Sequence, residues 1–183
     1  MIVIMAGLPG TGKSTLARAL AQAGGGVVLD KDVIRSVLFP AEYVEYSNEQ
    51  DDFCQKLMLA TAGYLIERHP DLRIFMDGRT FSRKYQIDGV IDAARRLNAE
   101  WRIIECVCAE ETARKRLDAT RLSHPARNRS FELYRSLRAQ FEPITAPKLV
   151  VDTDQPLEEC VAEAGVYLGP LPYGHGLESI SGS

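Results

Sequence analysis

Short apolar runs alternate with longer stretches in which apolar residues recur every three or four positions, and this rhythm continues along most of the chain. The runs predict strands at about 2–6, 26–30, 72–77, 102–108 and 148–152, each a β-branched or aliphatic segment such as Val27-Val28-Leu29 or Leu149-Val150-Val151. The helical spacing predicts helices near 13–23, 32–38, 49–68, 83–97, 110–120, 130–141 and 156–167. Gly24-Gly25-Gly26 closes the first helix, while Pro70 and Pro156 punctuate later segments. Alternating strand and helix patterns imply an α/β fold around a mostly parallel sheet. No internal repeat or linker interrupts the pattern, so residues 1–167 read as a single domain. From Leu168 onward the periodicity is lost in Gly-Pro-Leu-Pro-Tyr-Gly-His-Gly, and 168–183 is expected to be a mobile tail.

Composition narrows this picture without changing it. At 183 residues, with 45% apolar and 26% charged residues, the chain suits one sizeable core. A net charge of −3 argues against a general nucleic-acid coat protein but leaves room for a local basic patch. No apolar run approaches the ~18 residues of a membrane span, and the apolar N-terminus lacks a basic flank, so a soluble, cytoplasmic protein is expected. Cys54, Cys106, Cys108 and Cys160 show no metal-ligand spacing and read as structural, with Cys106 and Cys108 alternating along a buried strand. His69, His124 and His175 show no ligand spacing either.

The chemistry concentrates behind the first strand. Gly7-Leu8-Pro9-Gly10-Thr11-Gly12-Lys13-Ser14 is a complete GxxxxGK[ST] loop, followed by a helical pattern beginning Ser14-Thr15-Leu16. Strand, glycine-rich turn and helix in that order let backbone N–H groups and the helix dipole converge on a nucleotide's phosphates. Glycines at 7, 10 and 12 keep side chains out of the way. Lys13 is placed to reach the β- and γ-phosphates, and the Ser14 hydroxyl to ligate Mg²⁺. The loop predicts binding of a nucleoside triphosphate, ATP in the reading adopted here, at Gly7, Pro9, Gly10, Thr11, Gly12, Lys13, Ser14 and Thr15.

Ligands of open α/β sheets sit at the carboxyl ends of the strands, which directs attention to the polar residues there. The second strand ends in Asp30-Lys31-Asp32-Val33-Ile34-Arg35. Asp32 and Arg35, three apart, can share one face of a helix, the first to accept a proton and the second to clamp a phosphate or the acceptor. A plain first-turn acid or helix cap explains Asp32 equally well. Strand three ends in Asp77-Gly78, where a lone carboxylate beside a phosphate loop suits a water-mediated Mg²⁺ ligand. Between Tyr43 and Asp52 the chain is polar and aromatic, either an acceptor pocket or a helix entry capped by Ser47 or Asn48.

The segment 114–138 holds eight basic residues, among them Arg114, Arg116, Arg121, Arg127 and Arg129, against Asp118 and Glu132. It reads as an arginine-bearing lid over about 114–130 that closes on phosphates, or as a solvated basic face. Tyr134, Leu137 and Phe141 recur at helical spacing and read as core.

Taken in this order, the loop, the Asp32-x-x-Arg35 pair, Asp77-Gly78 and the arginine-rich segment resemble the small P-loop kinases. The closest group holds polynucleotide 5′-hydroxyl kinases, chloramphenicol phosphotransferase, zeta-type toxins and AAA-domain kinases, and the resemblance covers about residues 1–167. It implies a five-stranded sheet of order 2-3-1-4-5 and transfer of the ATP γ-phosphoryl group to a hydroxyl. By the same resemblance Asp32 is the general base, Arg35 the substrate-side arginine, and Lys13 and Arg121 transition-state cations. Arg116 and Arg121 close on the nucleotide, Asp152 and Thr153 line the adenine, and Ser14 and Asp77 hold the metal. One departure is visible: Arg116-Leu117 is followed by Thr120 and then Arg121, where relatives often space the lid arginines four apart. The acceptor expected is a nucleoside, sugar or antibiotic hydroxyl. A nucleic-acid 5′ end is the alternative, and a nucleotide-dependent switch binding a protein partner is the alternative of another class. Neither an oligomeric state nor a membrane partner is implied.

Overall fold

The computed structural model describes residues 1–120 and 130–170. Five strands, β1 (Ile2–Ala6), β2 (Val27–Asp30), β3 (Ile74–Asp77), β4 (Trp101–Val107) and β5 (Leu149–Asp152), form one parallel sheet in the order β2-β3-β1-β4-β5. Among the described residues seven α-helices connect and cover them: α1 (Lys13–Gly24), α2 (Lys31–Leu38), α3 (Asn48–Arg68), α4 (Lys84–Arg96), α5 (Glu110–Thr120), α6 (Phe131–Ala139) and α7 (Leu157–Leu168). The expected strand order is therefore found. No helix among the described residues is long and apolar enough to cross a membrane.

Because strand side chains alternate, the buried run of β1 serves two cores at once. Ile2 and Ile4 join Ile74, Met76 and Ile103 beneath α3 and α4, where Met58, Ala62, Val90 and Ile91 meet them. Val3 and Met5 face the other way with Phe75, Ile104 and Cys106, packed on Leu16, Ala17 and Leu20 of α1 and on Cys160 and Ala164 of α7. This double layer fixes the carboxyl ends of β1, β2 and β3 side by side. In register, Asp30 pairs with Asp77 and Ile4 with Met76.

Several boundaries depart from the sequence pattern for identifiable reasons. The strand expected from 72 begins at Ile74, because Arg73 instead gives its carbonyl to the Val27 N–H and its guanidinium to the carbonyls of Leu168, Gly169 and Pro170. Cys108 lies beyond β4 rather than within it: the chain turns where the Thr153 N–H bonds to Val107 and Asp154 accepts the Ala109 N–H. Cys106 is fully buried, and burial pushes its thiol up to about 12, so it behaves as a small apolar group. Helix α6 stops at Ala139, leaving Phe141 outside it although still packed against the core, while Tyr134 is buried as expected and Leu137 only half so.

Candidate active site

The loop between β1 and α1 is shaped by contacts that only glycine permits. Gly7 has φ +128°, and a Cβ there would lie 2.3 Å from the Cys106 carbonyl. Gly10 has φ +83°, and its Cβ would lie 2.8 Å from the Ala113 carbonyl on α5. Within the loop the Thr11 hydroxyl donates to the Leu8 carbonyl at 2.8 Å, and Lys13 folds back to the carbonyls of Gly7 and Leu8 at 2.7 and 2.8 Å.

Among the described residues, two of the clefts that touch this loop hold both Lys13 and Ser14. The first, about 170 Å³, is lined by Pro9, Lys13 and Ser14, by Lys31, Asp32 and Arg35 of α2, by Asp51 of α3, by Asp77 at the end of β3 and by Arg79 after it. The second, about 370 Å³, is lined by Gly10, Gly12, Lys13, Ser14 and Thr15 together with Arg116, Thr153 and Gln155. Lys13 and Ser14 belong to both, so the phosphate loop forms the wall between them.

The second cleft is held by one side chain. The Thr153 hydroxyl lies 2.9 Å from the Thr11 carbonyl and 3.1 Å from that of Val107, to which it can donate, and it accepts from Arg116 Nη1 at 2.9 Å. Arg116 Nη2 also donates to the Thr153 carbonyl at 2.7 Å. Arg116 and Thr153 are thus brought to the phosphate loop. Asp152 does not line this cleft: it is exposed, and its Oδ1 accepts the Asp154 N–H, so it shapes the turn instead. Arg121, Arg127, Arg129 and His124 lie outside the described residues, as does most of the segment expected to form the lid. The flanking arginines have other attachments, Arg114 standing 5.2 Å over the Phe131 ring.

In the first cleft the two aspartates after β2 separate into different tasks. Asp30 caps α2, its Oδ1 accepting the N–H groups of Asp32 at 2.9 Å and Val33 at 3.4 Å. Burial, with Asp77 alongside as a lesser cause, raises the Asp30 pKa. Asp32, in the first turn of the helix, faces the cleft with its Oδ1 3.2 Å from both Arg35 Nη1 and Lys31 Nζ. Arg35 is almost fully buried beneath Tyr46, its guanidinium 5.1 Å from the ring centroid. In the polar stretch before α3, Ser47 caps the helix, accepting the Gln50 N–H, while Tyr46 and Asn48 line the cleft.

Asp77 has 0% exposure, and neither carboxylate oxygen has a hydrogen-bond partner. A buried, unpaired carboxylate at the edge of a phosphate loop, with the Ser14 hydroxyl on the same cleft, fits a hydrated divalent cation; Mg²⁺ suits such an all-oxygen donor set.

Three cleft residues to which the sequence reading gave no role stand out. Lys31 links Asp32 to Asp51. Asp51 also pairs with Arg35, and Arg79 pairs with Asp52 at 2.7 Å and Gln55 at 2.8 Å. Arg79 is legible after the fact as the residue following Asp77-Gly78. Asp51 falls in the polar stretch read as either an acceptor pocket or a helix entry, with no signal pointing to Lys31 or Arg35.

A family model described as "AAA domain" matches residues 2–144, most of the chain. The chain belongs to this AAA domain family. No curated protein matches it by sequence. Among solved structures it is similar to a gluconokinase from Sinorhizobium meliloti 1021, at 20% identity over 89% of this chain and 87% of the other, with a TM-score of 0.62. It is also similar to a sugar kinase from Janibacter sp. HTCC2649, at 18% identity over 91% and 93% and a TM-score of 0.63. A third is the Mycobacterium tuberculosis APS kinase CysC, in complex with AMPPNP and APS, at 15% identity over 89% and 94% with a TM-score of 0.66. At these identities the likeness is one of fold, a P-loop kinase architecture that the AAA-domain match and the strand order share.

Proposed function

We propose that the protein is an ATP-dependent kinase that transfers the γ-phosphoryl group to a hydroxyl of a small molecule, with Asp32 as general base. The observation that carries this reading is one cleft lined by Lys13 and Ser14 of the phosphate loop, Asp77 of β3, and Asp32 with Arg35 of α2. A γ-phosphate on the loop and a hydroxyl against Asp32 then share one space, which is what phosphoryl transfer needs. ATP extends from the loop into the second cleft, where Arg116 and Thr153 flank its nucleoside. The related folds named above include kinases of sugars and of APS, which supports a small acceptor over a nucleic-acid end.

In the proposed step the acceptor oxygen attacks Pγ as its proton passes to Asp32. The bond from Pγ to the β–γ bridging oxygen breaks, and its electron pair leaves with ADP. Lys13 and Arg35 offset the charge carried by the transferring oxygens. Mg²⁺ held at Ser14 and Asp77 would neutralise the β- and γ-phosphates.

The test is transfer of labelled γ-phosphoryl from Mg·ATP to a panel of sugars, nucleosides, antibiotics and 5′-hydroxyl oligonucleotides, each beside Asp32→Asn. A labelled product that falls about 10²–10⁴-fold in the variant, with ATP binding retained, identifies acceptor and base together. A product undiminished by Asp32→Asn removes Asp32 from the chemistry.

A further inference from the structure

Asp32 is held by one oxygen only. Both cations of its own helix converge on Oδ1, Lys31 Nζ and Arg35 Nη1 each at 3.2 Å. Among the described residues no donor bonds Oδ2. Nor is that oxygen sealed away like those of Asp77, since Asp32 contributes no atom to the buried unpartnered set. The carboxylate therefore has an anchored oxygen and an available one, on a side chain that lines the cleft.

What keeps the second oxygen available comes from a different element. Asp51 Oδ1, in the first turn of α3, accepts from Lys31 Nζ at 2.9 Å and pairs with the second terminal nitrogen of Arg35. Asp32, Lys31, Asp51 and Arg35 thus form a closed ring of alternating charges, with Arg35 at 3% exposure and Lys31 at 6%. An arginine beside a carboxylate prefers the bidentate fork, in which both terminal nitrogens meet both oxygens. Nη2 makes no hydrogen bond and is drawn toward Asp51 by charge alone, so Arg35 meets Asp32 through Nη1 alone.

We propose that Asp51 is a positioning residue for the general base: it holds Lys31 and Arg35 on the Oδ1 side of Asp32 and so leaves Oδ2 as the atom that takes the acceptor's proton. This rests on the reading of Asp32 as base and adds a residue, and an atom, to it. Without Asp51, Arg35 swings into the fork with Asp32 and occupies both oxygens. The cost falls on turnover rather than on nucleotide binding, because no member of the ring lines the second cleft.

The ring also titrates. Lys31 faces Asp32 and Arg35 on α2, Asp51 and Cys54 on α3, and Arg79 after β3, with Lys13 and Asp77 on the same cleft. Burial brings Lys31 down to about 8, although Asp32 opposes the shift. As pH rises through that value Lys31 loses its charge, the Oδ1 anchor weakens and turnover declines. Arginine at position 31 stays charged throughout.

The experiment is release of labelled phosphate from Mg·[γ-³²P]ATP by the full chain, with water as the probe acceptor, measured from pH 6 to 10. Asp51→Asn is expected to lower kcat roughly 10–100-fold, the penalty of displacing a catalytic group by about an ångström, with KM for ATP nearly unchanged. Asp51→Glu restores most of that loss. Lys31→Arg flattens the alkaline decline. A wild-type kcat in Asp51→Asn, or an alkaline decline unmoved in Lys31→Arg, overturns the proposal while a slow Asp32→Asn leaves the base in place. A wild-type rate in Asp32→Asn shows instead that the base assignment itself has failed. Should Asp51→Asn fold poorly, Asp51→Glu and Lys31→Arg carry the same test.

Discussion

Replacing Thr153 with valine keeps the shape of the side chain and deletes one oxygen, and that oxygen ties three segments together. Its hydroxyl sits 2.9 Å from the Thr11 carbonyl in the phosphate loop and 3.1 Å from the Val107 carbonyl at the end of β4. It also accepts from Arg116 Nη1 at 2.9 Å, and the residue is only 9% exposed. The charged bond to Arg116 contributes about 1.5–3 kcal/mol, and a buried carbonyl left unpaired costs about 1–3 kcal/mol more. Arg116 keeps its bond to the Thr153 carbonyl, which offsets part of the loss. We therefore expect Thr153→Val to cost about 2–3 kcal/mol in urea unfolding, a fall in Tm of roughly 5–10 °C for a domain of this size. ATP affinity should fall as well, because the same oxygen orients Arg116 on the second cleft and braces the phosphate loop at Thr11. Titration calorimetry with ATP beside urea melts reads both effects. A variant within about 0.5 kcal/mol of wild type, the scatter of ordinary surface substitutions, would refute the claim that this hydroxyl joins β5 to the phosphate loop.

Other perturbations separate binding from folding. Lys13→Ala should abolish turnover while the fold survives, since the lysine's bonds to loop carbonyls lie at the cleft; a near-normal kcat would sink its assignment to the γ-phosphate. Asp77→Asn should stabilise the protein by about 1–2 kcal/mol in Mg²⁺-free buffer, because it removes an unpaired buried charge, and should eliminate Mg²⁺-supported activity. The sign against pH can be checked in the same variant. Asp30 has a raised pKa, partly through Asp77, so its contribution to stability is present at low pH and lost as pH rises above the ordinary carboxylate range. Between about pH 4 and 7 that loss should be smaller in Asp77→Asn, and equal slopes would contradict it. Ending the chain after Pro170 keeps the three carbonyls that hold Arg73 and should leave Tm nearly unchanged. Ending it after Tyr167 strands a buried guanidinium and should cost about 3–5 kcal/mol by thermal melt.

The match between sequence and structure differs by kind of feature. The phosphate loop was complete in eight consecutive letters because its function is a backbone conformation: only glycine tolerates φ +128° at position 7 and +83° at position 10 against neighbouring carbonyls. Strands and helices were legible because two cores on one parallel sheet force apolar runs in the strands and one apolar stripe on each helix. Misplaced ends, such as residues 72–73 and Cys108, are those where a distant segment makes the local contacts: the carbonyls of Leu168–Pro170 hold the Arg73 guanidinium, and the Thr153 N–H takes the Val107 carbonyl just before Cys108.

The cleft was only half legible. Asp32 and Arg35 stand three apart on one helix, so local geometry predicted that they meet. Asp30 and Asp32 stand two apart in sequence, and the cap geometry of α2 assigns Asp30 to the helix N-terminus. Asp51 lies on another helix, and nothing in its neighbours' spacing points to Lys31 or Arg35. The sequence by itself determined the loop, the order of strands and helices, and which residues end β2 and β3. Which charges meet across the cleft was decided only in three dimensions, because ion pairs between elements depend on how α2 and α3 pack, and no periodicity along either helix encodes that.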